Sequence, residues 1–273
     1  MLTRSLEKAK AAWKNRNSEA SKKAHQQRAT EQHQQAQGRY IKSAIYGGLD
    51  GIITTFAVVA GVAGASLSAG IVLILGFANL IADGISMAIG DYLSTKAEKE
   101  YARAERKRES WEVENYPEGE MKEMVEIYMD KGIAEKDAKQ MVEILSKHKK
   151  AWVDVMMVEE LGIVESKESP LKNSLVTFGS FVIFGFIPLF AYVLARLFPG
   201  LFGGGAKSIT SGASDPTFLI ACALTGATLF TLGALKTKVT GQKWYISGFE
   251  MLIVGGLAAA AAYGIGVALS GLA

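Results

Sequence analysis

Two carboxylates stand where carboxylates are costly. Asp50 lies in Gly47-Gly48-Leu49-Asp50-Gly51, inside an apolar run from about Ala44 to Leu67. Asp83 lies in a second apolar run, about Ala69 to Leu93, with Asn79 one turn before it and Met87 one turn after. Residues four apart share a helix face, so Asn79, Asp83 and Met87 offer amide, carboxylate and thioether atoms along one line. An acid in hydrocarbon normally faces a polar route or a partner. The bland alternative for Asp50 is a helix brace with no ligand, and for Met87 simple packing. Carboxylates alone would suit hard cations, and an adjacent sulfur shifts the expectation toward a transition metal. Asp91 continues the line but approaches the end of the run, where exposure to water is cheap.

A second group of acids lies in a polar stretch. Glu105, Glu109 and Glu112 fall on one helix face, Glu120 and Glu123 form an i,i+3 pair, and Met156 and Glu160 an i,i+4 pair. Clustered like charges need water, counter-charges or bound cations. Spacing alone leaves two readings open: a metal-binding surface, or a solvated helix neutralised by Arg106, Lys107 and Arg108. His25, His33 and His148 form no metal motif. No phosphate loop, dinucleotide fingerprint or nucleophile elbow appears, so an enzyme is not expected and no prosthetic group is called for.

The elements that must position these residues follow from charge and hydropathy. The chain has 273 residues, 49% hydrophobic, and 19 of its 27 acids lie between Glu98 and Glu168. That segregation excludes a uniform soluble globule. The net charge of +3 combines a basic start with an acidic middle, which gives no support to nucleic-acid binding. Five apolar blocks are long enough to cross a bilayer, for which about 20 residues suffice. They are the two above, then about Leu175 to Phe198, Pro216 to Leu235 and Tyr245 to Leu272. Pro188 predicts a kink in the third. Gly64 to Ser68 predicts a tight hairpin between the first two. The Gly/Ser-rich stretch Phe198 to Asp215 and the basic stretch Lys236 to Lys243 are expected to be loops. Between the second and third blocks, Ser94 to Glu114 predicts a charged helical continuation, interrupted at Tyr116-Pro117-Glu118-Gly119. Short helices follow, broken at Gly132 and Gly162.

The expected fold is therefore an all-α membrane protein. Five transmembrane helices carry a cytosolic helical metal-binding domain inserted between spans 2 and 3. The expected divisions are a polar extension over 1–38, spans 1 and 2 over 39–93, the inserted domain over 94–168, and spans 3 to 5 over 169–273. The extension lacks the apolar core of a signal peptide and reads as disorder or a frayed helix. Basic residues flanking the spans put the N-terminus and the insert in the cytosol, with the C-terminus on the far side. The lone Cys222 reads as a small buried hydrophobe.

The motifs also resemble the vacuolar iron transporter family. The match is carried by Tyr46-Gly47-Gly48-Leu49-Asp50-Gly51 and by the run from Asn79-Leu80-Ile81-Ala82-Asp83 through Met87 to Asp91-Tyr92-Leu93-Ser94. Lys96-Ala97-Glu98, Ala151-Trp152-Val153-Asp154 and Met156-Met157-Val158-Glu159-Glu160-Leu161-Gly162 continue it. The resemblance implies a homodimer in the lipid bilayer, with the transport path between subunits, exchanging cytosolic Fe2+ for protons. It implies a vacuolar membrane in a eukaryote and otherwise the cell membrane. Mn2+ and Zn2+ are the other candidate ions. By resemblance Asp50 and Met87 face the path. Glu109, Glu112, Glu120, Glu123, Met156 and Glu160 match acidic and thioether ligands of the soluble domain, and Glu105 occupies a less regular ligand place. The sequence departs from the plant-type pattern in two places. Thr54-Thr55-Phe56 replaces Val-Pro-Phe, and Asn79 stands where plant-like members have glutamate, with Asp83 supplying an acid one turn later. Two other readings stand beside iron antiport: a manganese- or calcium-preferring transporter, and a membrane metal sensor without net transport.

Overall fold

A computed structural model describes residues 11–20, 40–166, 168–198, 214–240 and 242–272. Most of the polar extension, including His25 and His33, and most of the Gly/Ser-rich stretch lie outside the described residues. Eight α-helices are considered below: α1 (Ile41–Gly64), α2 (Ala69–Asn115), α3 (Pro117–Asp130), α4 (Glu135–Ser146), α5 (Lys149–Glu159), α6 (Pro170–Leu197), α7 (Pro216–Thr240) and α8 (Trp244–Leu269). No strand occurs among the described residues. Helices α1, α2, α6, α7 and α8 each carry a stretch long and apolar enough to cross a membrane.

The chain divides into two compact units, one of Met1–Ile89 with Lys172–Ala273 and one of Gly90–Leu171. The larger unit has a core of Phe56, Val59 and Ala60 from α1, Val72 and Leu80 from α2, Phe181, Leu189 and Tyr192 from α6, and Phe218 and Ala221 from α7. Phe56 and Phe218 stack with ring centroids 6.4 Å apart. The outward faces are also apolar: Ile74, Ile81, Ile253 and Leu257 are exposed, as a hydrocarbon solvent permits. Helix α6 runs unbroken through Pro188.

The close approach of α1 to α6 depends on glycine. A Cβ on Gly51 would sit 2.3 Å from the Phe181 carbonyl oxygen, and one on Gly47 would sit 2.5 Å from that of Thr177. Only residues without side chains let two helix backbones meet so closely. This contact fixes the rotation of α1, and hence the direction of Asp50.

Helix α7 continues to Thr240, so Lys236, expected in a loop, is helical. Lysine is a good helix former, and nothing before Gly241 breaks the run. Lys236 Nζ lies 3.5 Å from Glu250 Oε2 on α8.

The smaller unit begins on the charged part of α2. Beyond Gly90 this stretch has no Gly or Pro and is rich in Ala, Glu, Lys and Arg, which all favour helix. It stops at Asn115 because Pro117 disfavours helical geometry in the residue before it. Tyr116 accordingly takes φ −139° and ψ 56°, and Pro117 opens α3. Val113, Met124, Val142, Trp152, Val153, Met156 and Met157 gather the four helices around one core.

Candidate metal centre

The acids of the smaller unit come from three places in the chain. The charged part of α2 supplies Glu109 and Glu112, and the start of α3 supplies Glu120 and Glu123. Glu160 caps the C-terminal end of α5. Gly162, at φ +66°, reverses the chain just beyond it. That turn brings the Ile163 N–H to the Met157 carbonyl at 2.8 Å. Glycine adopts this left-handed conformation without steric penalty.

Two groups of carboxylates result: Glu109, Glu112 and Glu120, and Glu120, Glu123 and Glu160. Within each group one oxygen from every residue lies within 4.8 Å of the others. Glu120 belongs to both. Glu109 is 1% exposed, and neither of its carboxylate oxygens has a protein donor. Glu120 is also buried, and its Oε2 has no donor. One oxygen of Glu109 and one of Glu120 lie within 4.8 Å of each other, a crowding that two ionised carboxylates oppose.

Their electrostatics follow. Burial pushes Glu109 up to about 8, with further contributions from Glu160, Glu120 and Glu112. Glu120 is raised by burial, with the charges of Glu123 and Glu112 adding to it and the contact with Glu109 opposing it. Glu160 is raised by loss of hydration and by Glu123 and Glu120. A protonated buried acid is the metal-free solution to crowding, and a divalent cation is the other.

Glu105 stands outside both groups. Its Oε2 lies 2.8 Å from Arg108 Nη2. Met156 is fully buried in the hydrophobic core of the unit. Arg106, which could have neutralised the α2 acids, turns instead to Asp154 at 2.6 Å and Glu165 at 2.5 Å.

In the larger unit, Asp50 is half-buried beside the glycine face of α1. Thr54 Oγ1 donates to the Asp50 carbonyl at 2.9 Å. Asp83 on α2 is exposed in the single chain, next to the buried Gly84. Met87 packs partly buried against the core. Asn79 is partly buried, with its Nδ2 lacking an acceptor. Asn79, Asp83 and Met87 lie on one unbroken helix, with Asp83 exposed and Asn79 and Met87 partly buried. A further acid, Glu250 of the fifth apolar helix, escaped the sequence reading. Its signal was an acid near one end of an apolar block, opposite the basic end of the block before it.

Comparison with known proteins decides the family. Residues 41–267 match the profile of the VIT family. The chain belongs to the VIT family. A vacuolar iron transporter of Toxoplasma gondii is 44% identical over 96% of this chain and 88% of its own length. A vacuolar iron transporter of Plasmodium falciparum is 40% identical over 84% of this chain and 82% of its own. Vacuolar iron transporter 1 of Arabidopsis thaliana is 35% identical over 86% and 87%. The family match spans both units, so this VIT chain carries its membrane acids and its glutamate cluster within a single aligned region.

Proposed function

We propose that this VIT chain is a homodimeric divalent-metal/proton antiporter that moves Fe2+ out of the cytosol. The destination is a vacuole-like compartment in a eukaryote, or the far side of the cell membrane otherwise. One observation carries the reading. Asp50 and Asp83 sit on two different helices, each apolar enough to span a membrane. Relatives named vacuolar iron transporters support iron as the cargo.

The glutamate cluster, on the cytosolic side in this reading, collects the ion. Glu109, Glu112, Glu120, Glu123 and Glu160 supply hard oxygen donors, and Met156 adds a thioether. Asp50 and Met87 from two subunits then hold it in the membrane. Paired carboxylates cancel the charge of a dication, which lowers the cost of carrying it through a low-dielectric region. Protons from the far side neutralise Asp50, and secondarily Asp83, which weakens binding and releases the metal. Asp83 also supports the dimer. An acid exposed on a membrane helix needs cover by protein or water, and a second copy provides it.

Purified protein in sealed vesicles should take up Fe2+ with opposite proton flux, read with a metal-sensitive and a pH-sensitive dye. Asp50→Ala should abolish both signals. Intact, pH-coupled transport by that variant would sink the mechanism. The two oxygen-only triads favour a second reading, a transporter of the same fold that prefers manganese or calcium. Competition of either ion with Fe2+ in the same vesicles separates these readings.

A further inference from the structure

The acidic cluster is neutralised unevenly. Arg108 lies at its rim, with Nη2 2.8 Å from Glu105 Oε2 and Nε 3.8 Å from Glu112 Oε2. Glu112 belongs to the first triad. The Arg108 charge also acts on Glu120 and Glu160, so its field reaches both triads. Other cations of the unit are engaged elsewhere. Arg106 holds Asp154 and Glu165, Lys131 pairs with Glu159, and Lys149 pairs with Glu114. Glu109, by contrast, is buried with both oxygens bare.

We propose that Arg108 is the resident counter-cation of the metal-free cluster, and that a divalent ion binds by displacing it from Glu112. This rests on the reading of the cluster as a metal centre. A guanidinium cannot lose its proton, so it cannot be titrated away and must move. Arg108 is half-exposed, which lets it swing toward water while keeping Glu105. The displacement holds metal affinity below what the carboxylates alone would give. Such an affinity suits a centre that passes its ion on. Glu105 then acts as the holding point for the displaced arginine and not as a ligand, which accounts for its position outside both triads.

The test is calorimetric titration of Mn2+ into the full-length protein in detergent, with Glu109→Gln defining the signal from the cluster. Arg108→Gln should bind Mn2+ about two- to fivefold more tightly than the parent, the range expected for losing a partly exposed competing charge. Lys107→Gln removes the same charge from the next, exposed residue and should stay within about twofold of the parent. Metal-free Arg108→Gln should melt below the parent and gain more from saturating Mn2+. If Arg108→Gln does not fold, Arg108→Lys serves, because one ammonium cannot span both carboxylates. It should bind about two- to threefold more tightly. Unchanged or weaker binding by the arginine variants, or equal tightening by Lys107→Gln, would overturn the proposal. A parent protein that shows no cluster signal at all would instead overturn the metal-centre reading beneath it.

Discussion

At the residue scale, Glu109 is the most constrained acid outside the membrane spans. Its folded value of about 8 lies above the ordinary 4.5. A carboxyl shifted this way binds protons more strongly in the folded state than in the unfolded one. Its contribution to stability is therefore complete below about pH 4.5 and lost as pH rises through about 8. The metal-free protein should melt at progressively lower temperature across that window, and Glu109→Gln should flatten the decline. A divalent ion reverses the sign, since it needs the ionised form. Mn2+ affinity should therefore rise from about pH 6 to about pH 8 and then level off. A melting profile with the same slope in the parent and in Glu109→Gln would rule out Glu109 as the source. Isosteric glutamine keeps the volume but removes a ligand charge, so Glu109→Gln should also weaken Mn2+ binding by about tenfold or more.

At the element scale, the α1–α6 contact positions the membrane acid. Gly51 meets the Phe181 carbonyl so closely that an added methyl would fall 2.3 Å from it. The obstacle is backbone, which cannot rotate aside. Gly51→Ala should therefore push α1 off α6 and cost about 1–3 kcal/mol, visible as a lower melting temperature in detergent. It should also reduce Fe2+ flux, because Asp50 neighbours the displaced residue. Gly256 provides the control: a Cβ there meets nothing within 4 Å, so Gly256→Ala should be close to neutral. Within the smaller unit, the breaks between helices do comparable work. Pro117 ends α2 and starts α3, which lets Glu109 and Glu120 face one another although they are close in sequence. A helix running straight through would have spread the same acids along one axis.

At the scale of the whole molecule, the single chain leaves Asp83 exposed among Ile81, Ile85 and other uncovered apolar residues of α2. If a second copy covers this face, cysteine at position 83 should approach its symmetry mate or a neighbouring group across the interface. Asp83→Cys in a Cys222→Ala background should give a cross-linked dimer with a short thiol-specific linker in native membranes. The outward-facing Leu257→Cys on α8 should give none. Cross-linking at both positions, or at neither, would count against α2 as the shared face. The α7–α8 hairpin carries its own brace, the Lys236–Glu250 pair at 3.5 Å. A lone acid there would be costly to place near hydrocarbon, and its partner on the preceding helix offsets that cost.

The sequence by itself determined the helices and their breaks. Hydropathy marks five apolar stretches, and Pro117, Gly132 and Gly162 interrupt the charged segment at the places where α3 begins and where α3 and α5 end. These features are local, because propensity and period act over a few residues. The sequence also marked the acids that matter, since charge stands out against an apolar or a crowded background. What it left open was which of them meet. Glu105, Glu109 and Glu112 share a helix face, yet only the last two join the triads, because Arg108 draws Glu105 away. Glu120 and Glu160 are distant in sequence and share a group only because α3, α4 and α5 fold back around Met124, Val142 and Trp152. Asn79, Asp83 and Met87 share one line of α2, but spacing alone did not say that Asp83 would be exposed and Met87 packed against the core. Spacing fixes neighbours along one helix, whereas the rotation of each helix against the others is set by side-chain packing, and that decided which carboxylates became a centre.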